Sequence, residues 1–162
     1  MDRVRPRAAQ NGHGKDPAIQ AAGAGVKETP RKVFERLVAA QNAHDIDALV
    51  ACFAQDYSSQ QPTHPDRAFN GNAQVRKNWS LIFGSVPDFH AELLDAAVDG
   101  ETAWGEFEWR GRRRDGSVLH SRGVIIGTVR EGKLAAARLF MSDVEEAGRG
   151  IDAAVEGMVG KR

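Results

Sequence analysis

Residues 99–132 read DGETAWGEFEWRGRRRDGSVLHSRGVIIGTVREG, and this stretch decides the fold. Asp99-Gly100, Asp115-Gly116 and Glu131-Gly132 stand sixteen residues apart, each flanked by strand-forming residues. Asp-Gly is a strong signal for a two-residue hairpin turn, and Glu-Gly a weaker one. Three such turns predict four long antiparallel strands, at about 89–98, 101–114, 117–130 and 133–142. Strands of this length twist and curl, and Gly105, Gly123 and Gly127 inside them favour it.

With two-residue loops at Asp115-Gly116 and Glu131-Gly132, the register follows by counting. One face then carries Gly105, Phe107, Trp109, Val118, His120, Arg122, Val124, Ile126, Ala135, Ala137, Leu139 and Met141. The other carries Trp104, Glu106, Glu108, Arg110, Ser121, Ile125, Arg138, Phe140 and Ser142. The first face is the more apolar and is expected to pack on helices. The second is mixed and suits a dimer contact.

Upstream the rhythm is helical. Thr29 can cap a helix and Pro30 fits its first turn, with Val33, Phe34, Leu37, Val38 and Gln41 along one face. Asp45 can cap a second, shorter helix lined by Ile46, Leu49, Val50 and Phe53. Tyr57 to Gln61 predict a short strand ending at Pro62. Asn70-Gly71 opens a third helix bearing Val75, Trp79, Ile82 and Phe83, which Gly84 and Pro87 stop. Helices first and a meander afterwards predict an α+β domain.

Residues 1–28 have no apolar period, are slightly basic, and are expected to form a disordered tail. The domain then spans 29–145, and 146–162 is a tail or short helix, with Ile151, Val155, Met158 and Val159 at helical spacing. The 162 residues suffice for one domain with tails. Lys and Arg number 22 and Asp and Glu also 22, so the basic excess typical of nucleic-acid or anionic-membrane binders is missing. No apolar run approaches the ~20 residues of a membrane span. The chain is therefore expected to be cytoplasmic, with neither nucleic acid nor membrane as partner. One cysteine, Cys52, rules out an internal disulfide and a cysteine-clustered zinc site. Beside Phe53, it reads as a small buried hydrophobe.

The generic phosphate-binding, zinc-protease and nucleophile-elbow motifs are missing, and no cofactor or metal is expected. On the apolar sheet face the polar exceptions are His120 and Arg122. His120 is the only group there that titrates near neutral pH, which makes it the candidate proton carrier. The run Arg110, Arg112, Arg113 and Arg114 reads as a solvated hairpin tip, and His44 as a helix-end residue.

The order helix–helix–strand–helix–meander resembles the nuclear transport factor 2-like superfamily, SnoaL-like branch. The resemblance rests on Leu37 to Val50 (LVAAQNAHDIDALV), Phe53 to Tyr57 (FAQDY), Phe69-Asn70-Gly71, Glu131 to Leu134 (EGKL) and Arg138-Leu139-Phe140. It spans roughly residues 31–145 and implies a cone-shaped, curved antiparallel sheet packed on three N-terminal helices. Function varies widely across the superfamily, from isomerases and cyclases to proteins without activity. Its ketosteroid isomerases use a Tyr as oxyanion donor, an Asp as base and a buried acid. The matching positions here hold Leu37, Gln61 and Ile125 or Ile126, none of which can do that work. In its limonene epoxide hydrolases the last strand carries an Arg and two Asp residues. Here Arg138 is kept, but Leu139 and Ser142 stand at the acidic positions, with Asp143 one residue beyond.

The resemblance implies a pocket between the sheet and the helices for a small, largely apolar molecule. Tyr57, Ser59, Gln61, Trp79, Phe83, Trp109, Arg122, Leu139 and Met141 are expected to line it, with His120 as the catalytic candidate. Two readings follow: a binding module without the usual Tyr and Asp set, or a cofactor-independent acid–base enzyme (isomerase, lyase or hydrolase) using His120 or another pocket group. A homodimer through the outer sheet face is expected in either case.

Overall fold

Thr29 opens the first helix as its chemistry demands: its hydroxyl accepts from the Lys32 N–H, and Pro30 occupies the first turn. The structure, a computed structural model, describes residues 28–160. The expected tail at 1–28 therefore lies outside the described residues except for Glu28. Helix α1 (Pro30–Asn42) is followed by α2 (Ile46–Ala51), β1 (Phe53–Gln60), β2 (Phe69–Asn70) and α3 (Asn72–Ser85). The meander β3 (His90–Asp99), β4 (Thr102–Arg112), β5 (Val118–Arg130) and β6 (Lys133–Asp143) comes next, and α4 (Ile151–Val159) closes the described chain. No described helix is long and apolar enough to cross a membrane.

The six strands form one curved, unclosed sheet in the order β2-β1-β6-β5-β4-β3. Against expectation it is not wholly antiparallel, because β1 runs parallel to β6, with Phe53 opposite Leu134 and Ser59 opposite Ala137. Hairpins dictate antiparallel pairing only between consecutive strands. The β1–β6 pair closes over a long excursion through α3 and the meander, so no turn sets its direction. β1 also begins four residues earlier than expected, because α2 stops at Ala51 and Phe53 is already in the strand.

The faces of β4 and β6 follow the count, but β5 is inverted. Trp109 lies opposite Ser121, Gly105 opposite Ile125, and Ile125 opposite Leu139. The core-facing residues of β5 are thus Ser121, Gly123, Ile125 and Gly127, while His120, Arg122, Val124 and Ile126 face outward. Two local features cause this. The Asp115-Gly116 turn is part of a five-residue loop between the paired residues Arg112 and Val118. Asp115 accepts from both the Ser117 N–H (2.9 Å) and its hydroxyl (2.6 Å), and only Gly116 takes a positive φ. Downstream, a bulge at Ala135 restores the phase of β6. Of these two hairpins the weaker signal makes the two-residue turn, with Glu131 at φ 53° and Gly132 at φ 71°.

The core sits between α1 and the concave sheet face. Phe34, fully buried, rests where Gly105 and Gly127 leave the sheet bare, and meets Phe107 edge-on at 5.1 Å. A Cβ on either glycine would come within 3 Å of the Phe34 ring. The far end of α1 is clamped to β3 by Asn42, whose amide donates to the Ala91 carbonyl (2.9 Å) while its oxygen accepts from the Ala91 N–H (2.7 Å). The arginine run is tied down locally: Arg114 donates to the Gly84 carbonyl, and its backbone N–H to that of Ser85. These are carbonyls of the last turn of α3, which ordinarily lack helical partners. That turn runs through Gly84 rather than stopping there.

Candidate functional site

Between α1, α3 and the sheet lies a cavity of about 170 Å³. Helical spacing places Leu37 and Gln41 on its α1 side, and Val75, Asn78, Trp79 and Ile82 on its α3 side. Strand alternation brings Phe53, Tyr57 and Ser59 in from β1, with Gln61 just past its end and Phe69 on β2. Trp109, Ile125, Leu134, Ala137 and Leu139 complete the sheet side. The half-buried members Gln61, Phe69, Asn78, Ile82, Trp109 and Leu139 mark the side nearer solvent.

Of the residues expected here, Tyr57, Ser59, Gln61, Trp79, Trp109 and Leu139 come together around this cavity. Phe83 stands behind Trp79, at 5.5 Å between ring centroids, and stacks at 4.8 Å on His44, whose Nε2 meets the Phe89 carbonyl at 3.0 Å. Met141 is on the cavity's face of the sheet, opposite Gly123, but beyond its lining. His120 and Arg122 are on the opposite face, because β5 is inverted. His120 Nε2 meets Glu108 Oε1 at 2.8 Å, and Arg110 donates to the same oxygen at 2.8 Å. Arg122 pairs with Glu106. The assignment of His120 and Arg122 to the pocket is therefore corrected.

Sequence reasoning missed Gln41 as a lining residue, while Trp109 was expected here. Gln41, 1% exposed, has its Oε1 buried with no hydrogen-bond partner, and so does the Trp109 indole N–H. Gln41 gave a usable signal, a polar residue on an otherwise apolar helical face four positions after Leu37. The remaining polar groups are partly engaged: Asn78 Oδ1 accepts from Gln74 (2.8 Å), and Gln61 Oε1 from Arg67 (3.4 Å). Tyr57 is the one ionisable residue among the lining residues. Burial pushes its hydroxyl up from the ordinary value, opposed by a hydrogen bond with Ser59. Leu37, at the position of the oxyanion donor in the isomerases, is buried and offers no donor. Asp143 shares the inner face of β6, where its Oδ1 accepts from the Ser121 hydroxyl (2.7 Å), but it is exposed and outside the cavity lining. Cys52 is buried, its thiol donates to the Ala48 carbonyl, and burial raises its pKa, which fits a packing role. Among the described residues no three His, Cys, Asp or Glu side chains cluster as a metal site.

On the outer face, Arg110 and then His120 hold Glu108 below the ordinary carboxylate range. A carboxylate whose folded pKa is depressed contributes stability above its unfolded value and loses it as pH falls through the folded one. Glu108→Gln is thus expected to reduce thermal stability at neutral pH and to approach the parent below the ordinary value of 4.5. Melting curves from pH 3 to 7 check this; parallel curves would contradict it.

A SnoaL-like domain model matches residues 34–137. No curated protein matches the chain. Among solved structures, Bal32a from a soil-derived mobile gene cassette is similar with TM-score 0.61 and 21% identity, covering 72% of this chain and 92% of that one. A protein of ketosteroid isomerase-like fold from Catenulispora acidiphila, solved with trimethylamine, gives 0.59 and 15%, over 68% and 85%. A SnoaL-like polyketide cyclase, so named by similarity, from Shewanella denitrificans gives 0.58 and 15%, over 70% and 90%. At such identities the structural likenesses establish the fold, and the family rests on the domain model, whose match runs from Phe34 in α1 to Ala137 on the cavity wall. The chain belongs to the SnoaL-like domain family, within the nuclear transport factor 2-like superfamily.

Proposed function

We propose that this chain binds a small, largely apolar molecule in the cavity between α1, α3 and the sheet, without acid–base chemistry. The observation that carries this reading is the cavity's lining: mostly apolar and aromatic side chains, a few polar groups, and no carboxylate, histidine, lysine or arginine. The enzymatic alternative needs a proton carrier near neutral pH. Tyr57 is moved away from that range by burial, and His120 faces the other way.

Trp79 and Trp109 form part of the wall, so occupancy is expected to change their fluorescence. Titration with toluene in a Trp104→Phe background, which removes the signal of the exposed outer tryptophan, is the test. A saturable change supports the reading, and no change at toluene's solubility limit overturns it. His120→Ala is expected to leave this binding within twofold, since the side chain lies across the sheet from the cavity; a tenfold loss would contradict that.

We also propose a homodimer through the outer sheet face. Trp104, Val124 and Phe140 are each more than a third exposed there, around the Glu106–Arg122 pair. So much apolar surface in one patch suits self-association. Light scattering at tens of micromolar is expected to give twice the monomer mass, and Phe140→Glu to halve it. A monomeric parent, or a variant that stays dimeric, would refute the arrangement.

A further inference from the structure

On the outer sheet face the register sets side chains in rows that cross the strands. Phe140, Val124 and Glu106 form one row, and Arg138, Ile126 and Trp104 the next. The row after that, Ser58, Ala136, Thr128 and Thr102, holds only small side chains. The step down to it leaves a groove of about 330 Å³. Two residues further along β5 stands Arg130, paired with Asp56. No carboxylate lines the groove, and among the described residues its Arg138 has no ion-pair partner.

Helix α4 has the complementary surface. Ile151, Val155, Met158 and Val159 recur at helical spacing, and all are exposed, so nothing covers this stripe within one copy. Asp152 and Glu156, each one position on from a stripe residue, run along its flank, and the helix carries no cation. We propose that α4 of one copy lies in the outer-face groove of a second copy, its stripe on Trp104 and Ile126 and its acidic flank toward Arg138. This rests on the dimer proposed above and adds that the two copies exchange their C-terminal helices.

Shape and connection favour this occupant. From Ile126 to Arg130 is about 13 Å along β5, against a helix width of about 10–12 Å. The groove crosses four strands, about 14 Å, and the nine residues of α4 rise about 13.5 Å. Phe140 and Val124 make the apolar centre of the face. A two-fold axis along their row carries Val144 of one copy, four residues past Phe140, over Ala136 of the other, four residues before it. The linker 144–150 then starts beside the groove it must reach. The groove of its own copy lies eight residues back along β6, about 26 Å, which takes the whole reach of the linker, about 25 Å.

Two charge-reversed full-length variants test this: Arg138→Glu, and Asp152→Arg with Glu156→Arg. All three positions are exposed, so folding is not at stake. Each variant alone sets like charges against each other at both grooves, and sedimentation equilibrium is expected to show its dimer weakened about tenfold. Mixed in equal amounts, each groove meets a helix of opposite charge, and association is expected to return to within threefold of the parent. A helix variant that dimerises like the parent would overturn the exchange and leave the sheet-face dimer standing. So would a mixture that fails to recover, because a helix seated on its own copy gains nothing from mixing. A parent that is monomeric would take down the dimer and the exchange together.

Discussion

Phe34→Ala is expected to reduce the free energy of unfolding by about 3–5 kcal/mol, the range for a buried phenylalanine truncated in a packed core. Phe34 is fully buried and fills the gap over Gly105 and Gly127, where two strands have no side chain of their own to offer. Neither glycine can compensate for the lost ring, so the cavity left behind cannot collapse. Urea denaturation gives the measurement. Leu81→Ala, at a position 63% exposed on α3, is the control and is expected to change stability by less than about 0.5 kcal/mol. A loss below 1 kcal/mol for Phe34→Ala would mean that α1 is not seated on the sheet through this ring.

The second large effect is on binding. Ala137 is 4% exposed and lines the cavity from β6. Ala137→Phe places a phenyl ring where the ligand would go, and is expected to weaken toluene binding by about 100-fold, equal to roughly 2.7 kcal/mol. Its effect on stability is the diagnostic partner. In a filled core the added volume would cost roughly 1–3 kcal/mol. With a cavity to receive the ring, unfolding is expected to stay within 1 kcal/mol of the parent. Strong destabilisation with binding retained would show that position 137 does not open into the site.

The helices and strands were legible because their signals are local. The Thr29 cap, the Asp45 cap and the chain reversals at Gly100, Gly116 and Gly132 each act within a few residues, and all five appear in the structure, the middle reversal as a five-residue loop. The inversion of β5 was not legible, since the chemistry of one loop decides it. Asp115 bonds to Ser117 instead of adopting the left-handed conformation that a two-residue turn demands. The same misreading put His120 and Arg122 into the pocket. The parallel pairing of β1 with β6 escaped notice because it is non-local. On the cavity side, Tyr57, Ser59 and Gln61 alternated as a strand should, and Trp79 kept its helical spacing. Gln41 was visible as a polar residue on an apolar face, but only the fold shows that it lines the cavity and that its oxygen is buried without a partner.

The five-residue loop at 113–117 and the bulge at Ala135 have a consequence for changes in chain length. Each shifts the phase of the sheet by one residue, and the two shifts cancel, so β4 and β6 keep their faces while β5 alone is turned over. Deleting one loop residue would bury Arg122 and His120 and expel Ile125 from the core. Deleting Ala135 alone would instead throw β6 out of step with β5 and turn Leu139 away from the cavity. Both deletions together would keep β4 and β6 in their present phase but still leave β5 turned over from its present side, so each length is set by which side of β5 must face the core. A loop that looks like free surface is therefore one half of a two-part length constraint.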